Sequence, residues 1–133
     1  MALVDEPVLA ARARDPEQRL QHALDLAFRY LGPRPRTEVE VRRYLEGKRV
    51  EPDTIAEALV RLAELGYLDD ARFAREFAEE KRRLEAWGAD RIERRLLARG
   101  VAPELIAAAI GDRSAVEERD AASALLRRRF PRL

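Results

Sequence analysis

The apolar residues of this 133-residue chain recur with the period of an α-helix. The segment after Pro52 is the clearest case, because its apolar positions lie three and four residues apart and therefore share one face of a helix. They are Ile55, Ala58, Leu59, Leu62 and Leu65. The chain is rich in Ala, Leu, Arg and Glu, which favour helices, and only 6% of its residues are aromatic. The pattern predicts an all-α protein.

Glycine and proline divide the helical pattern into segments. Each of the six glycines lies where a helical pattern ends, and glycine ends helices well because it adopts the left-handed backbone without strain. They are Gly32, Gly47, Gly66, Gly88, Gly100 and Gly111. Prolines stand where helices begin, at Pro16, Pro52 and Pro103, where the missing N–H costs no hydrogen bond. The predicted helices cover about residues 16–31, 37–46, 52–65, 69–87, 90–99, 103–110 and 114–129.

Polar residues at the predicted helix starts support these boundaries. Asp15, Thr37, Asp69 and Ser114 are candidate N-caps. Thr37 and Glu40 also have the spacing of a capping box, in which two side chains satisfy each other's backbone amides.

The chain repeats itself at an offset of 51 residues. The residues Leu45, Val50, Pro52 and Ile55 return as Leu96, Val101, Pro103 and Ile106. We therefore predict two three-helix units, over residues 16–66 and 67–111, stacked because each is small for an independent core. Residues 1–15 are predicted to form a flexible N-terminal segment, and residues 112–133 the first helix of an incomplete third repeat.

Composition excludes several classes of function. The chain has no cysteine, which excludes disulfides and thiolate metal sites, and its one histidine, His22, removes most metal or acid–base schemes based on histidine. We expect no metal and no cofactor. The glycines are scattered and form no phosphate-binding loop. No apolar run is long enough to span a membrane, and the N-terminus is a poor signal peptide. These features indicate a non-enzymatic, soluble cytoplasmic protein. Its net charge of +1 is too balanced for a protein that binds by phosphate contacts alone.

Two stretches of sequence resemble the RecX family. The run LGYLDDARFA at residues 65–74, continued by Gly88, Ile92, Leu96 and Gly100, resembles the most characteristic stretch of that family. The segment at residues 34–45, RPRTEVEVRRYL, is similar to the motif of its first repeat.

The resemblance implies tandem three-helix repeats in an elongated, curved molecule. Because an array of repeats that presents one face can work as a single copy, we expect a monomer. It implies binding in the groove of the RecA–DNA filament and a dampening of ATP hydrolysis, strand exchange and co-protease activity, hence a role in homologous recombination, DNA repair and the SOS response. The chain departs from the family in showing only the first helix of a third repeat.

The motif residues have structural interpretations that we favour over chemical ones. The resemblance assigns a structural role to Asp69, Asp70, Phe73, Ala74 and Gly100. An acidic pair at a helix start suits capping and the helix dipole better than catalysis.

Aromatic residues mark one face of the fourth predicted helix. Phe73, Phe77 and Leu84 recur along it, with Trp87 near its end. This face could stack the bases of single-stranded DNA, but helical spacing favours packing in the core.

Two groups of arginines are candidates for partner binding. Arg91, Arg95 and Arg99, here called the arginine stripe, lie four residues apart on the fifth predicted helix, with Arg94 beside them. A solvated face is the alternative, but a surface of one sign suits acidic RecA side chains or DNA phosphates. Arg127, Arg128 and Arg129 form either an electrostatic arm or a helix end that favours the dipole.

The sequence leaves a second function open. Three-helix units also resemble helix-turn-helix modules, so the chain could bind DNA without RecA. Weak contact with single- or double-stranded DNA is compatible with either function.

Overall fold

The computed structural model describes residues 15–111, which form helices and no strand. The helices are α1 (Pro16–Leu31), α2 (Glu38–Gly47), α3 (Pro52–Glu64), α4 (Asp70–Glu85), α5 (Ala89–Ala98) and α6 (103–111). The chain divides into two compact units between Asp69 and Asp70, whereas the sequence repeat places the boundary after residue 66. Unit 1 contains α1–α3 and unit 2 contains α4–α6. The fold is therefore an all-α tandem three-helix repeat, as predicted.

Several predictions fall outside the described residues. These are the N-terminal segment, the predicted helix 114–129 with its N-cap Ser114, and the basic group Arg127, Arg128 and Arg129. Among the described residues, no helix is both long and apolar enough to cross a membrane.

Two of the predicted helix starts are confirmed by their hydrogen bonds. The Asp15 carboxylate accepts from the Gln18 amide at 2.7 Å, and the Gln18 side chain accepts from the Asp15 amide at 3.2 Å. Thr37 and Glu40 form the same reciprocal pair at the start of α2, with distances of 3.2 and 2.9 Å. Each box satisfies amides that have no partner inside the helix.

Each unit has its own core, and the two cores use equivalent positions of the repeat. The pairs Ala23 and Ala74, Ala27 and Ala78, Val41 and Ile92, and Leu45 and Leu96 are all fully buried. Alanine at the first two positions lets the backbone of the first helix in each unit approach its neighbours closely. The apolar pattern at offset 51 is thus the pattern of two separate cores, one in each unit.

The turn after the second helix is the same in both units but uses different residues. The Val50 amide donates to the Leu45 carbonyl and the Val101 amide to the Leu96 carbonyl, both at 3.1 Å. This pattern is a Schellman motif, whose penultimate residue adopts a left-handed backbone. That residue is Gly100 in unit 2, with φ of 88°, but Arg49 in unit 1, with φ of 62°.

The prediction that Gly47 ends the second helix through a left-handed backbone is therefore wrong. Gly47 is the last residue of α2, and the left-handed position falls two residues later. The repeat contains the signal that was missed, because Gly100 aligns with Arg49 and not with Gly47. Unit 1 thus carries a flexible glycine inside a helix and a strained arginine in the turn.

We expect the double substitution Gly47→Ala and Arg49→Gly to stabilise unit 1. Alanine removes the entropic cost of a helical glycine, and a Cβ at position 47 meets no atom within 4 Å. Glycine at position 49 relieves the left-handed strain, for a combined gain of about 1 kcal/mol. Urea unfolding followed by circular dichroism measures the change. The reverse substitution at the equivalent turn, Gly100→Arg, is expected to destabilise, and a gain there would contradict the explanation.

The fourth helix ends earlier than its pattern predicts. It stops at Glu85, and Ala86 then adopts a left-handed backbone with φ of 55°. The Trp87 amide donates to the Lys81 carbonyl at 3.1 Å, so the chain folds back on the last turn of α4. Phe73, Phe77 and Trp87 pack against the second core, which confirms the core interpretation for them. It is wrong for Leu84, which is 66% exposed, because the Trp87 ring packs on that core instead.

Candidate partner-binding site

The candidate site residues of the sequence lie at the start of α4 and along α5. Asp69 is exposed immediately before α4, Asp70 is its first residue, and Ala74 is fully buried. Arg91, Arg94 and Arg95 are exposed on α5, and Arg99 is half-buried at its C-terminal end.

The arginine stripe lies over aromatic rings of α4 and of the α4–α5 turn. The Arg91 guanidinium carbon is 4.0 Å from the centroid of the Trp87 ring, and that of Arg95 is 5.8 Å from the same ring. Arg99 lies 4.6 Å above the ring of Phe73. The stripe and the aromatic row, considered separately from the sequence, therefore form one surface in which cations cover rings.

Trp87 is the centre of this surface. Besides the two arginines, the Lys81 ammonium lies 5.0 Å from the indole, and the Phe77 ring meets it edge-on at 6.1 Å. Lys81 also pairs with Glu85 at 2.8 Å. We refer to Lys81, Trp87, Arg91 and Arg95 as the Trp87 cluster. The sequence analysis missed Lys81, because it lies on α4, ten residues before Arg91 on α5, and no helical period links residues of two different helices.

Arg94 differs from the other arginines of α5. Its Nε donates to the carbonyl oxygen of Asp90 at 3.3 Å, one helical turn earlier. No aromatic ring lies under its guanidinium group among the described contacts of residues 15–111. Three of the four predicted arginines of α5 therefore contact aromatic rings, and within residues 15–111 Arg94 does not.

The start of α5 explains how an arginine reaches Trp87. The N-cap of α5 is Gly88, which has no side chain to accept a hydrogen bond from the first turn. Its equivalent in unit 1 is Thr37, whose partner Glu40 occupies the position of Arg91. Because unit 2 has no capping box, the third helical position is available for a cation that stacks on the indole.

Unit 1 has a related cluster at equivalent positions, with the chemistry exchanged. Tyr30 and Tyr44 stack with ring centroids 4.2 Å apart and planes 8° from parallel. The Arg36 guanidinium lies 4.2 Å from the Tyr30 ring, and the Lys48 ammonium 5.5 Å from the Tyr44 ring. At offset 51, Tyr30, Arg36 and Tyr44 correspond to Lys81, Trp87 and Arg95. Each aromatic residue of the unit 1 cluster is thus replaced by a cation in unit 2, and the arginine of unit 1 is replaced by an aromatic residue.

The exchanged chemistry gives the two clusters different surfaces. Tyr44 and Arg36 cannot both lie within 4.2 Å of one face of Tyr30, so they cover its opposite faces. The unit 1 cluster is therefore a stacked column in which the two cations, Arg36 and Lys48, contact different rings. In unit 2, one indole gathers three cations, and among residues 15–111 neither Arg91 nor Arg95 forms an ion pair. The unit 2 cluster concentrates three cations around one ring and so presents the denser positive surface of the two.

Unit 1 also has a groove with a largely apolar lining. It lies between α2 and α3, has a volume of about 750 Å³ and is lined by apolar residues such as Ile55, Leu59 and Val60. Glu38 and Arg42 stand at its edge and pair with each other at 3.0 Å. The groove thus offers apolar area and little unpaired charge.

The described residues also contain no group of three or more acidic or histidine side chains placed to hold a metal ion.

The fold and this surface define a tandem three-helix repeat protein with a cationic face on its second unit. Models of the first and second three-helix domains of RecX match residues 23–62 and 69–110, more than half of the chain. The chain therefore belongs to the RecX family.

Curated relatives carry the name regulatory protein RecX. The protein of Deinococcus radiodurans is 39% identical over 122 residues, which are 92% of this chain and 58% of that protein. The protein of Mycolicibacterium smegmatis is 31% identical over 91% of this chain and 64% of its own length. That of Lactobacillus johnsonii is 40% identical over 64% of this chain and 31% of its own length. The chain thus spans less than two thirds of each of these relatives.

A solved structure shows the same fold. The crystal structure of RecX from Lactobacillus salivarius superimposes with a TM-score of 0.69 over 86% of this chain and 77% of that chain. Sequence identity between the two is 21%, so this likeness concerns the fold.

Proposed function

We propose that this protein is a regulator of the RecA recombinase, and an inhibitor in its effect. It binds in the groove of the RecA–DNA filament and dampens ATP hydrolysis, strand exchange and co-protease activity. It acts as a monomer in the cytoplasm, without chemistry of its own and without a cofactor.

The observation that carries this proposal is the match of both three-helix units to the RecX family. The cationic face of α5 adds a physical reason. Arg91, Arg95 and Arg99 lie on one side of a helix, each near an aromatic ring, and Arg91 and Arg95 form no ion pair within residues 15–111, so both can bind oxyanions. This face is the proposed contact with acidic RecA side chains or with DNA phosphates.

Binding alone accounts for inhibition. A filament that hydrolyses ATP moves between conformations, and a protein that binds one of them more tightly shifts the population toward it. Contacts to neighbouring RecA protomers would oppose their movement or exchange. The strength of inhibition then depends on how much more tightly the protein binds one filament state than the other.

DNA binding without RecA is the competing function. It predicts tight binding to free DNA and an affinity that falls steeply with salt. The net charge of +1 and the covered ring faces of both clusters favour a protein partner instead.

The direct test is ATP hydrolysis by the cognate RecA on single-stranded DNA, titrated with this protein, with co-sedimentation of filaments in the same samples. We expect a dose-dependent loss of hydrolysis that parallels co-sedimentation. Binding without loss of hydrolysis would contradict the inhibitory effect. Absence of both, combined with salt-sensitive binding to free DNA, would replace the proposal with the competing function.

A further inference from the structure

We propose that Trp87 is a positioning residue, which fixes Arg91 and Arg95 in one orientation toward the carboxylates of an acidic protein surface. The inference deepens the proposed function and rests on it for the identity of the partner. Trp87 would thus support binding without contacting the partner itself, and the chemical group that the two arginines recognise would be a carboxylate.

The local backbone is arranged to place the indole. Ala86 adopts a left-handed backbone, which costs a residue with a side chain about 1 kcal/mol. The resulting turn lets the Trp87 amide donate to the Lys81 carbonyl and brings the ring against the second core. Phe77 then meets the indole edge-on. Pro35 stands at the position of Ala86 in unit 1, and its ring excludes a left-handed backbone. This placement is therefore particular to unit 2.

The indole holds two guanidinium groups that would otherwise be free to rotate. Arg91 lies 4.0 Å from the ring centroid and Arg95 5.8 Å. Exposed arginines lose rotamer entropy when they bind a partner, and contact with a fixed ring removes part of that cost beforehand. Neither arginine forms an ion pair within residues 15–111, so both guanidinium groups can donate bidentate hydrogen bonds to a carboxylate.

Charge around the indole favours an anionic partner. Lys81, Arg91 and Arg95 surround one ring, and within residues 15–111 Lys81 pairs with Glu85 whereas Arg91 and Arg95 form no ion pair. Three cations held together repel one another, and an approaching carboxylate relieves that repulsion.

The geometry favours carboxylates over single-stranded DNA. Proteins that bind single strands present open ring faces on which bases stack. Here Arg91 and Lys81 lie against the Trp87 ring and Arg99 against Phe73, so the rings are already used by cations.

The test compares Trp87→Leu and Trp87→Phe in the full chain. Leucine keeps apolar packing but cannot hold a cation, and we expect it to weaken binding to RecA filaments about tenfold. Phenylalanine still attracts cations and is expected to stay within about threefold of the parent. Tyr44→Leu is the matched control, because it breaks the stacked pair at the equivalent place in unit 1 and should leave affinity unchanged. Circular dichroism shows that each variant is folded.

A double-mutant cycle separates positioning from a general structural effect. In a chain that already carries Arg91→Gln and Arg95→Gln, Trp87→Leu should cause no additional loss of affinity. Additive losses, or an equal loss in Tyr44→Leu, would overturn the positioning role.

Binding of fluorescently labelled poly-L-glutamate and of an oligothymidylate is measured by anisotropy with the same variants. Trp87-dependent binding of polyglutamate without any binding to filaments would support positioning and reject RecA as the partner. Equal polyglutamate binding by the parent and Trp87→Leu would overturn the inference. Tighter, Trp87-dependent binding of the oligothymidylate would overturn the assignment to carboxylates.

Discussion

Leu96→Ala is expected to destabilise unit 2 by about 2–5 kcal/mol, and Leu45→Ala to do the same in unit 1. Both leucines are fully buried at equivalent positions of the repeat. Each accepts, through its carbonyl, the hydrogen bond that closes the turn after the second helix of its unit. A unit of about 50 residues has a total stability of roughly 2–8 kcal/mol, so the loss of one such side chain removes much of it.

Denaturant unfolding measures this effect in each unit. Trp87 is the one tryptophan of the chain, so its emission follows unit 2, while circular dichroism follows both units. Leu97→Ala is the matched control for Leu96→Ala, because Leu97 is the adjacent residue on α5 and is 45% exposed. Its replacement should change stability by no more than about 0.5 kcal/mol. If the two substitutions had equal effects, the assignment of Leu96 to the core would be wrong.

Reversing the charge of the arginine stripe is expected to abolish most filament binding. In the triple variant Arg91→Glu, Arg95→Glu and Arg99→Glu, each position loses a charge-assisted hydrogen bond and repels an acidic partner. We expect an affinity loss on the order of 100-fold or more, equivalent to about 2.8 kcal/mol. The cores contain none of these side chains, so the protein remains folded. The lost contacts with Trp87 and Phe73 lower its melting temperature by several degrees, at about 4–8 °C per kcal/mol.

A charge-matched variant of unit 1 is the control. Arg29, Arg43 and Arg61 are exposed, and their reversal to glutamate changes the net charge of +1 by the same amount. General electrostatic attraction would make both triple variants weak binders. Loss confined to the stripe variant would identify a specific contact, and unchanged affinity in a filament pull-down would remove the stripe from the proposed function.

The helices could be predicted because their boundaries are encoded locally. Asp15 and Thr37 cap the helices that follow them, and Pro16 and Pro52 stand in first turns, as their chemistry requires. The error at Gly47 has a physical reason as well. Glycine is the usual left-handed residue but not the required one, and hydrogen bonds of the turn hold Arg49 in that conformation.

The candidate site could be predicted only in part. Periodicity places Arg91, Arg95 and Arg99 on one face, because residues on a single helix follow a single rule. It does not indicate which residues of another helix lie opposite, since this depends on how the helices cross. The contact of Lys81 with Trp87 also depends on the left-handed backbone of Ala86, which no sequence rule assigns to alanine.

The exchanged chemistry of the two clusters also bears on misfolding. Proteins with tandem repeats are prone to errors in which a helix of one repeat docks into another repeat, because equivalent surfaces are alike. If α4 took the place of α1 beside α2, Lys81 would stand where Tyr30 lies 4.2 Å from Arg36. Two cations would then face each other in place of a cation and a ring, and their repulsion would make this packing less stable. We therefore expect the difference between Tyr30 and Lys81 to disfavour this exchange of helices.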